Sequence, residues 1–283
     1  MKEIKTVFVV GAGTMGSGIA QTAAVYGYQT TMMDIDPKAL EQGQAAISRS
    51  VDKLLQKERI TEGQHQAALQ IAVTSSLEQA AEADLVIEAA AENPELKEKI
   101  FADLGNAADE TAILASNTSS ISISRIAAAA KKPERVVGLH FFNPVPLMKL
   151  VEVIEGKQSD GDTVEAAMAF ARSLGKTPVL AKDSPGFIGN RILIPMINEA
   201  VYTLAEGVAP AESIDTVMKL GMGHPMGPLQ LADLIGLDVV LDIMKVLHTE
   251  FASDKYRPAP LLEEMVAAGT LGKKTGSGFY VYD

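Results

Sequence analysis

Apolar and polar positions alternate along the first half of the chain in two distinct rhythms. Short unbroken apolar runs, TVFVV at 6–10, ADLVIEAA at 83–90 and TAILASNTSS at 111–120, have the length and β-branched content of strands buried on both faces. YQTTMMDID at 28–36 supplies a further strand. Between them lie segments with helical spacing, SGIAQTAAVYGY after TVFVV and ENPELKEKIFADLGNAA after ADLVIEAA. Strand and helix in alternation predict a doubly wound α/β sheet. PKALEQGQAAISRSVDKLLQKERI, 37–60, reads as an inserted amphipathic helix. Ile47, Val51, Leu54 and Leu55 share one face, and Ser50, Lys53 and Lys57 share another.

The rhythm changes twice more. VVGLH at 136–140 and KLVEVIEG at 149–156 read as successive strands joined by a tight turn containing NPVP. Alternation in the second puts Leu150, Glu152 and Ile154 on one side, toward a buried face. From about Lys182 onward the pattern is helical, with no strand before the terminal FYVYD. The expected fold class is therefore α/β, a doubly wound sheet over 1–184 with a helical insertion near 37–70, followed by a smaller all-α domain over 185–283. The apolar residues Ile192, Ile194, Met196, Ile197, Leu231 and Val240 exceed what one small helical domain would bury, which points to a homodimer.

Composition narrows the class of function. The 283 residues contain 47% hydrophobic residues, enough for two moderate domains, and no cysteine, which excludes disulfide and thiolate chemistry and fits a cytoplasmic protein. The opening MKEIKTVFVVGAG lacks a secretory apolar core, and no stretch reaches the length of a membrane span. A net charge of −11 without a basic cluster disfavours nucleic acid and membrane partners and favours a small molecule. Against that acidic background the Ser50, Lys53 and Lys57 face is one of few basic surfaces, suited to a phosphorylated ligand, although such faces are more often simply solvated.

GAGTMG follows directly on the first strand and opens a helix. In that context Gly11 permits the tight turn, Gly13 allows a pyrophosphate close to the backbone and Gly16 allows close packing of helix on strand. The helix N-terminus directs its N–H groups at the phosphates. Asp34 ends the next strand, placed to accept hydrogen bonds from an adenosine ribose and to repel a 2′-phosphate; Lys38 is the nearest following cation. The expected cofactor is NAD, held by Gly11, Gly13, Thr14, Met15, Gly16 and Asp34. Glu92, Lys97, Asn117, Ser119 and Ser120 fall just past the ends of other sheet strands, where ligands bind in such folds. Ser119 and Ser120 are equally readable as helix N-caps.

The pair His140 and Glu152 carries candidate chemistry. A carboxylate on a buried face needs a partner, and an imidazole on the preceding strand can supply it. Beside a nicotinamide such a pair provides the general base that alcohol oxidation requires; alone, it would be a self-satisfied core contact. No metal is expected, since the chain has no cysteine and no histidine pair at ligand spacing. Asn190, early in the helix after Asp183-Ser184-Pro185-Gly186, reads as an amide in apolar surroundings that must find partners.

The motifs VVGAGTMGSGIAQ, IEAAAENPELKEKIF, SNTSSISI, GLHFFNPVPLMKLVEVI, KDSPGFIGNRI, GHPMGPLQLADLIGLD and KKTGSGFYVY, in that order, resemble the L-3-hydroxyacyl-CoA dehydrogenase family over essentially the whole chain. The resemblance implies reversible, NAD-linked oxidation of a short 3-hydroxyacyl-CoA to the 3-oxoacyl-CoA, on a Rossmann-type domain followed by a helical one. It implies His140 as general base, Glu152 as its orienting partner, and Ser119 and Asn190 as hydrogen-bonding groups on the substrate oxygen, brought together by domain closure. It further implies cofactor contacts from Glu92, Lys97, Asn143 and Lys274, and CoA contacts from Ser50 and Lys57. Two other expectations remain open at this point: a dehydrogenase of a free hydroxy acid or sugar acid, for which the Ser50/Lys57 face has no use, and a non-catalytic NAD-binding protein, for which His140 and Glu152 have none.

Overall fold

The computed structural model describes residues 3–282, which divide between Ser184 and Pro185 into two compact units. The first unit runs β1 (Thr6–Val10), α1 (Thr14–Val25), β2 (Gln29–Met33), α2 (Pro37–Gln56), α3 (Glu62–Leu69), β3 (Ala72–Thr74), β4 (Leu85–Glu88), α4 (Pro94–Ala107), β5 (Ile113–Ser116), α5 (Ile123–Ala129), β6 (Val136–Phe141), β7 (Leu150–Glu155), α6 (Gly161–Ser173) and β8 (Thr177–Lys182). Its eight strands lie in the order β3-β2-β1-β4-β5-β6-β7-β8. Every neighbouring pair is parallel except β6 and β7. β1 sits between β2 and β4, so the chain reverses its winding direction there, and the crevice at that reversal is the usual ligand site of such sheets.

Burial explains the apolar runs. Val7, Val9, Leu85, Ile87, Ala115, Val137 and Leu139 have almost no exposure and form one core with Ile19, Ala20 and Ala23 of α1. β7 departs from the expected one-sided pattern: Val151 and Val153 are as buried as Glu152 and Ile154, because β8 pairs along its other edge and α6 packs on it. Neither β8 nor α6 was among the expected elements. β8 is a largely exposed edge strand carrying Pro178, a composition that hides a strand from periodicity. The connection from β6 to β7 is also longer than a tight turn. It occupies 142–149, contains a cis bond between Asn143 and Pro144, and is held by the Lys176 ammonium, which donates to the Val145 and Met148 carbonyls at 2.5 and 2.7 Å.

The insertion is a helical pair in place of one helix. α2 ends at Gln56, Glu58 takes a positive φ of 53°, and Thr61 opens α3 with a capping box closed by Gln64. Ile47 and Val51 are buried, Ser50 is half-buried, and Lys53 and Lys57 are exposed, as their spacing on α2 implied.

The second unit consists of α7 (Gly189–Ala205), α8 (Ala211–Thr216), α9 (Pro228–Ile235), α10 (Leu237–Phe251) and α11 (Pro260–Ala267), with short turns between them. Ile194, Ile197 and Val240 go into this unit's own core, so they contribute nothing to the surplus apolar surface expected of them; Ile192, at 66% exposure, does. The terminal FYVYD forms only an isolated bridge, Ser277 to Val281, and its last residue, Asp283, lies outside the described residues. Asp233, 1% exposed, organises this tail by accepting from the backbone N–H groups of Phe279 and Tyr280 and from the Tyr282 hydroxyl. Asp215 does likewise for Leu229, Gln230 and the Tyr280 hydroxyl.

Asp233→Ala strands two backbone donors, each worth roughly 1–3 kcal/mol when left unpaired, so equilibrium denaturation should show a loss of about 3 kcal/mol. Wild-type stability in that variant would contradict the anchoring role.

Candidate active site

The parallel strands β1, β4, β5 and β6 all finish on one edge of the sheet, at Val10, Glu88, Ser116 and Phe141. The glycine turn, Asp34, Glu92, Asn117, Ser119, Ser120 and His140 lie at or just past the ends of the parallel strands. The glycine turn is built as its spacing implied. Gly11 has φ +106°, and a Cβ there would lie 2.7 Å from the Ala89 carbonyl oxygen. A Cβ on Gly16 would lie 1.8 Å from the Gly11 carbonyl oxygen, so only glycine permits this approach of helix and turn. Gly13 differs: nothing lies within 4 Å of its missing Cβ, and as N-cap of α1 it supplies no side chain to the helix N–H groups. An open cradle backed by an uncapped helix start fits the pyrophosphate of a dinucleotide. Thr14 and Met15 are the first two residues of that helix.

Asp34 closes the turn from below. One carboxylate oxygen accepts the Ala12 N–H at 2.8 Å and the other accepts the Asp36 N–H at 3.0 Å. Thus the acid that can receive ribose hydroxyls also secures the glycine turn to the end of β2.

Between β4 and β5 the acidic and basic groups form one network. Glu88, fully buried, accepts from the Lys97 ammonium at 2.6 Å, the Ala90 N–H at 2.7 Å and the Ser116 hydroxyl at 2.6 Å. Lys97 is 1% exposed, with its ammonium also 3.4 Å from Glu92. Glu92 accepts from the Thr118 hydroxyl at 2.6 Å and the Ser119 N–H at 2.9 Å, with the Ser119 and Ser120 hydroxyls each at 3.3 Å. Burial pushes the Glu92 carboxyl up, but Lys97 and the hydrogen bonds from Thr118 and Ser119 outweigh it and hold the group below the usual glutamate range. Ser119 and Ser120 therefore are not the helix cap; Ser122 caps α5, accepting the Arg125 N–H and donating to Asp183. Asn117 spends its side-chain oxygen on the Phe141 N–H at 2.9 Å, tying β5 to the end of β6.

His140 is the penultimate residue of β6 and Glu152 the third of β7, and antiparallel register sets them directly opposite one another. His140 Nδ1 lies 2.7 Å from Glu152 Oε2, with exposures of 7% and 2%. A carboxylate accepts only, so Nδ1 carries the proton and donates; in the neutral ring Nε2 then bears the lone pair. The Phe142 ring, 4.6 Å from the imidazole centroid, packs against its face. This arrangement can take a proton at Nε2 and stabilise the resulting imidazolium through Glu152.

The remaining expected site residues lie on other elements. Asn143 is exposed in the β6–β7 connection. Within the second unit Asn190 is half-buried in the first turn of α7, whereas the buried amide of that helix is Asn198, which donates to the Arg257 carbonyl and accepts the Ala259 N–H. Lys274 donates to both carboxylate oxygens of Asp238 at 2.6 and 2.5 Å. Sequence reasoning missed Glu88, whose position inside IEAA reads as an ordinary strand end; a lone acid closing an otherwise apolar buried strand was the available signal. Among the described residues no group of three or more His, Asp or Glu is arranged to hold a metal. No described helix is long and apolar enough to cross a membrane.

Comparisons with known proteins identify the family. Residues 6–184 match the family model described as 3-hydroxyacyl-CoA dehydrogenase, NAD binding domain, and 186–282 match the corresponding C-terminal domain. A probable 3-hydroxybutyryl-CoA dehydrogenase of Bacillus subtilis is 52% identical over 282 residues, covering 99% of this chain and 98% of that protein. A 3-hydroxybutyryl-CoA dehydrogenase of Bradyrhizobium diazoefficiens is 52% identical over 280 residues, covering 99% and 96%. The crystal structure of (S)-3-hydroxybutyryl-CoA dehydrogenase from Ralstonia eutropha superposes with a TM-score of 0.96 at 53% identity, covering 99% of this chain and 100% of that one.

If Asp34 holds the ribose as its position after β2 implies, Asp34→Ala should weaken NADH binding by about 10- to 100-fold in a fluorescence titration, the loss of one to two charge-assisted hydrogen bonds. Unchanged affinity would remove Asp34 from the cofactor site.

Proposed function

This chain belongs to the 3-hydroxyacyl-CoA dehydrogenase family, and from that premise we propose that it oxidises (S)-3-hydroxybutyryl-CoA reversibly to acetoacetyl-CoA. It is an NAD-dependent oxidoreductase. The observation that carries the specific reading is the 2.7 Å contact between His140 Nδ1 and the buried Glu152 carboxylate. NAD, when bound, supplies the acceptor for the hydride that leaves the C3 carbon of the substrate.

The chain's own residues handle the proton. His140 Nε2 accepts it from the 3-hydroxyl as the C–O bond gains double-bond character; in reduction the imidazolium returns it to the carbonyl oxygen. Glu152 holds the ring in the productive tautomer and offsets the positive charge of the imidazolium, so its effect is greatest once the proton has arrived. Ser119, placed by Glu92, orients the substrate oxygen, with Asn190 as the second group assigned to that oxygen. Ser50 of α2 and Lys57 at its C-cap receive the CoA portion, the task that gives the basic face of an acidic protein a purpose. A free acid lacking CoA would leave that face unused, and the similarity to enzymes named for CoA thioesters favours the thioester.

The protein is further read as a cytoplasmic homodimer. Its cysteine-free composition fits a reducing compartment. Ile192, Val217, Leu220 and Met222 of the second unit, exposed by 57–81%, are apolar surface of the kind a second copy covers. Light scattering should return about twice the 30.0 kDa chain mass, and a monomer would contradict this.

With acetoacetyl-CoA and NADH, followed by loss of NADH absorbance, the wild type should turn over far faster than with free acetoacetate. Glu152→Gln should lower kcat by roughly 10²- to 10⁴-fold, the range for losing a correctly held general base, with NADH affinity nearly unchanged. No turnover of acetoacetyl-CoA by the wild type would overturn the substrate, and full activity of the variant would overturn the role of the pair.

A further inference from the structure

Glu88 is a buried acid that the reaction does not use directly, and its surroundings are costly to maintain. It closes β4, and its register partner, Ser116, closes β5. Among the described residues of this edge, Glu88 and Lys97 form an ion pair with exposures of 0% and 1%. Desolvating two opposite charges to that degree rarely gains net stability over an apolar pair of the same volume, so a pair retained at a ligand edge calls for a role in placing something.

Two chains of contacts lead from Glu88 to the same short segment. Along the first, Glu88 accepts the Ser116 hydroxyl at 2.6 Å, and the Ser116 oxygen in turn accepts the Thr118 N–H at 3.2 Å. Thr118 Oγ1 accepts the Ile121 N–H at 2.9 Å and shapes the turn through Ser119 and Ser120. Along the second, Glu88 holds Lys97, Lys97 lies 3.4 Å from Glu92 Oε2, and Glu92 Oε1 accepts the Thr118 hydroxyl and the Ser119 N–H. The Glu88 backbone joins in, since its carbonyl accepts the Asn117 N–H at 2.7 Å. Both routes end on the backbone that carries Ser119.

We propose that Glu88 is a positioning residue for Ser119, acting through Lys97 and Glu92 on one side and through Ser116 and Thr118 on the other. The idea rests on the proposed function only for the role of Ser119 on the substrate oxygen. Remove the Glu88 charge and Lys97 has one carboxylate left to turn to; Glu92 then follows the ammonium and no longer holds the Thr118–Ser119 turn. At saturating acetoacetyl-CoA and NADH the oxygen of the substrate is presented less well to His140, so the effect falls on kcat more than on the KM of the acyl-CoA.

The test is a mutant cycle in the full-length protein with acetoacetyl-CoA and NADH. Glu88→Gln should lower kcat by about tenfold in the wild-type background and by less than about twofold once Ser119→Ala is present, the non-additivity expected of coupled groups. Equal losses in both backgrounds would overturn the proposal and leave the function intact. A variant that strands Lys97 could be unstable, so Glu88→Gln/Lys97→Met, which removes the buried charge pair, is measured beside it. That double variant should regain wild-type thermal stability and still show the reduced kcat; recovery of both together would reduce Glu88 to a structural role and overturn the proposal. Amide exchange by mass spectrometry over 117–122, which needs no substrate, should quicken by about tenfold or more in Glu88→Gln while α1 stays protected. Unchanged exchange there overturns the proposal even if acetoacetyl-CoA proves not to be a substrate, and that second result bears on the function alone.

Discussion

Antiparallel pairing of β6 with β7 in an otherwise parallel sheet is the constraint on which the candidate chemistry depends. Parallel neighbours would carry the entry to β7 to the opposite edge. The return through 142–149 instead places the beginning of β7 beside the end of β6, on the edge where β1, β4 and β5 also finish. Register then sets Glu152 against His140 at 2.7 Å, on a strand buried on both faces. A carboxylate at 2% exposure with an imidazole N–H donor is satisfied; without it, the same group would be a buried charge worth several kcal/mol of destabilisation. The pair thus satisfies a buried charge and supplies the proposed base.

A common design runs along that edge. Every acid there holds a piece of backbone or a cation in place while presenting, or bordering on, a surface for ligand. Asp34 secures the glycine turn, Glu92 secures the Ser119 turn, and Glu88 stands behind Glu92 through Lys97. Such arrangements fix geometry before a substrate arrives, which is where an enzyme gains most from hydrogen bonds in a dry site. They also reconcile a net charge of −11 with anionic ligands: the acids near the phosphate cradle are already engaged, and the glycine turn offers backbone donors in place of side-chain cations.

What was legible in the sequence is what depends on local pattern. Buried runs gave β1, β4 and β5, glycine spacing gave the turn, and the face of α2 bearing Ser50 and Lys53 followed from helical periodicity. The pairing of His140 with Glu152 was readable because two adjacent strands limit the ways they can meet. Elements whose form is imposed from outside were not readable: β8 is an edge strand with a proline, and β7 shows one-sided alternation in sequence yet is buried on both sides once α6 and β8, the next two elements, pack and pair with it. The helix cap was ambiguous among serines because it is Asp183, 61 residues away, that receives Ser122 and leaves Ser119 to Glu92. Asn190 looked like the buried amide of α7, but Asn198 takes that place because residues 257–259 pack over it. Networks such as Glu88, Lys97 and Glu92 lie beyond pattern altogether, since each member is an ordinary residue until the sheet assembles.

The central claim concerns one proton. A free neutral imidazole tends to carry its proton on Nε2, whereas the Glu152 carboxylate demands it on Nδ1. Nitrogen-15 NMR of histidine-labelled protein, simplified by a total of four histidines, reports that tautomer directly. Neutral His140 should be protonated at Nδ1, with a downfield, slowly exchanging proton that disappears in Glu152→Gln or changes its bonding partner. An Nε2-protonated ring in the wild-type protein would contradict that assignment, because the nitrogen required to accept the substrate proton would already be occupied.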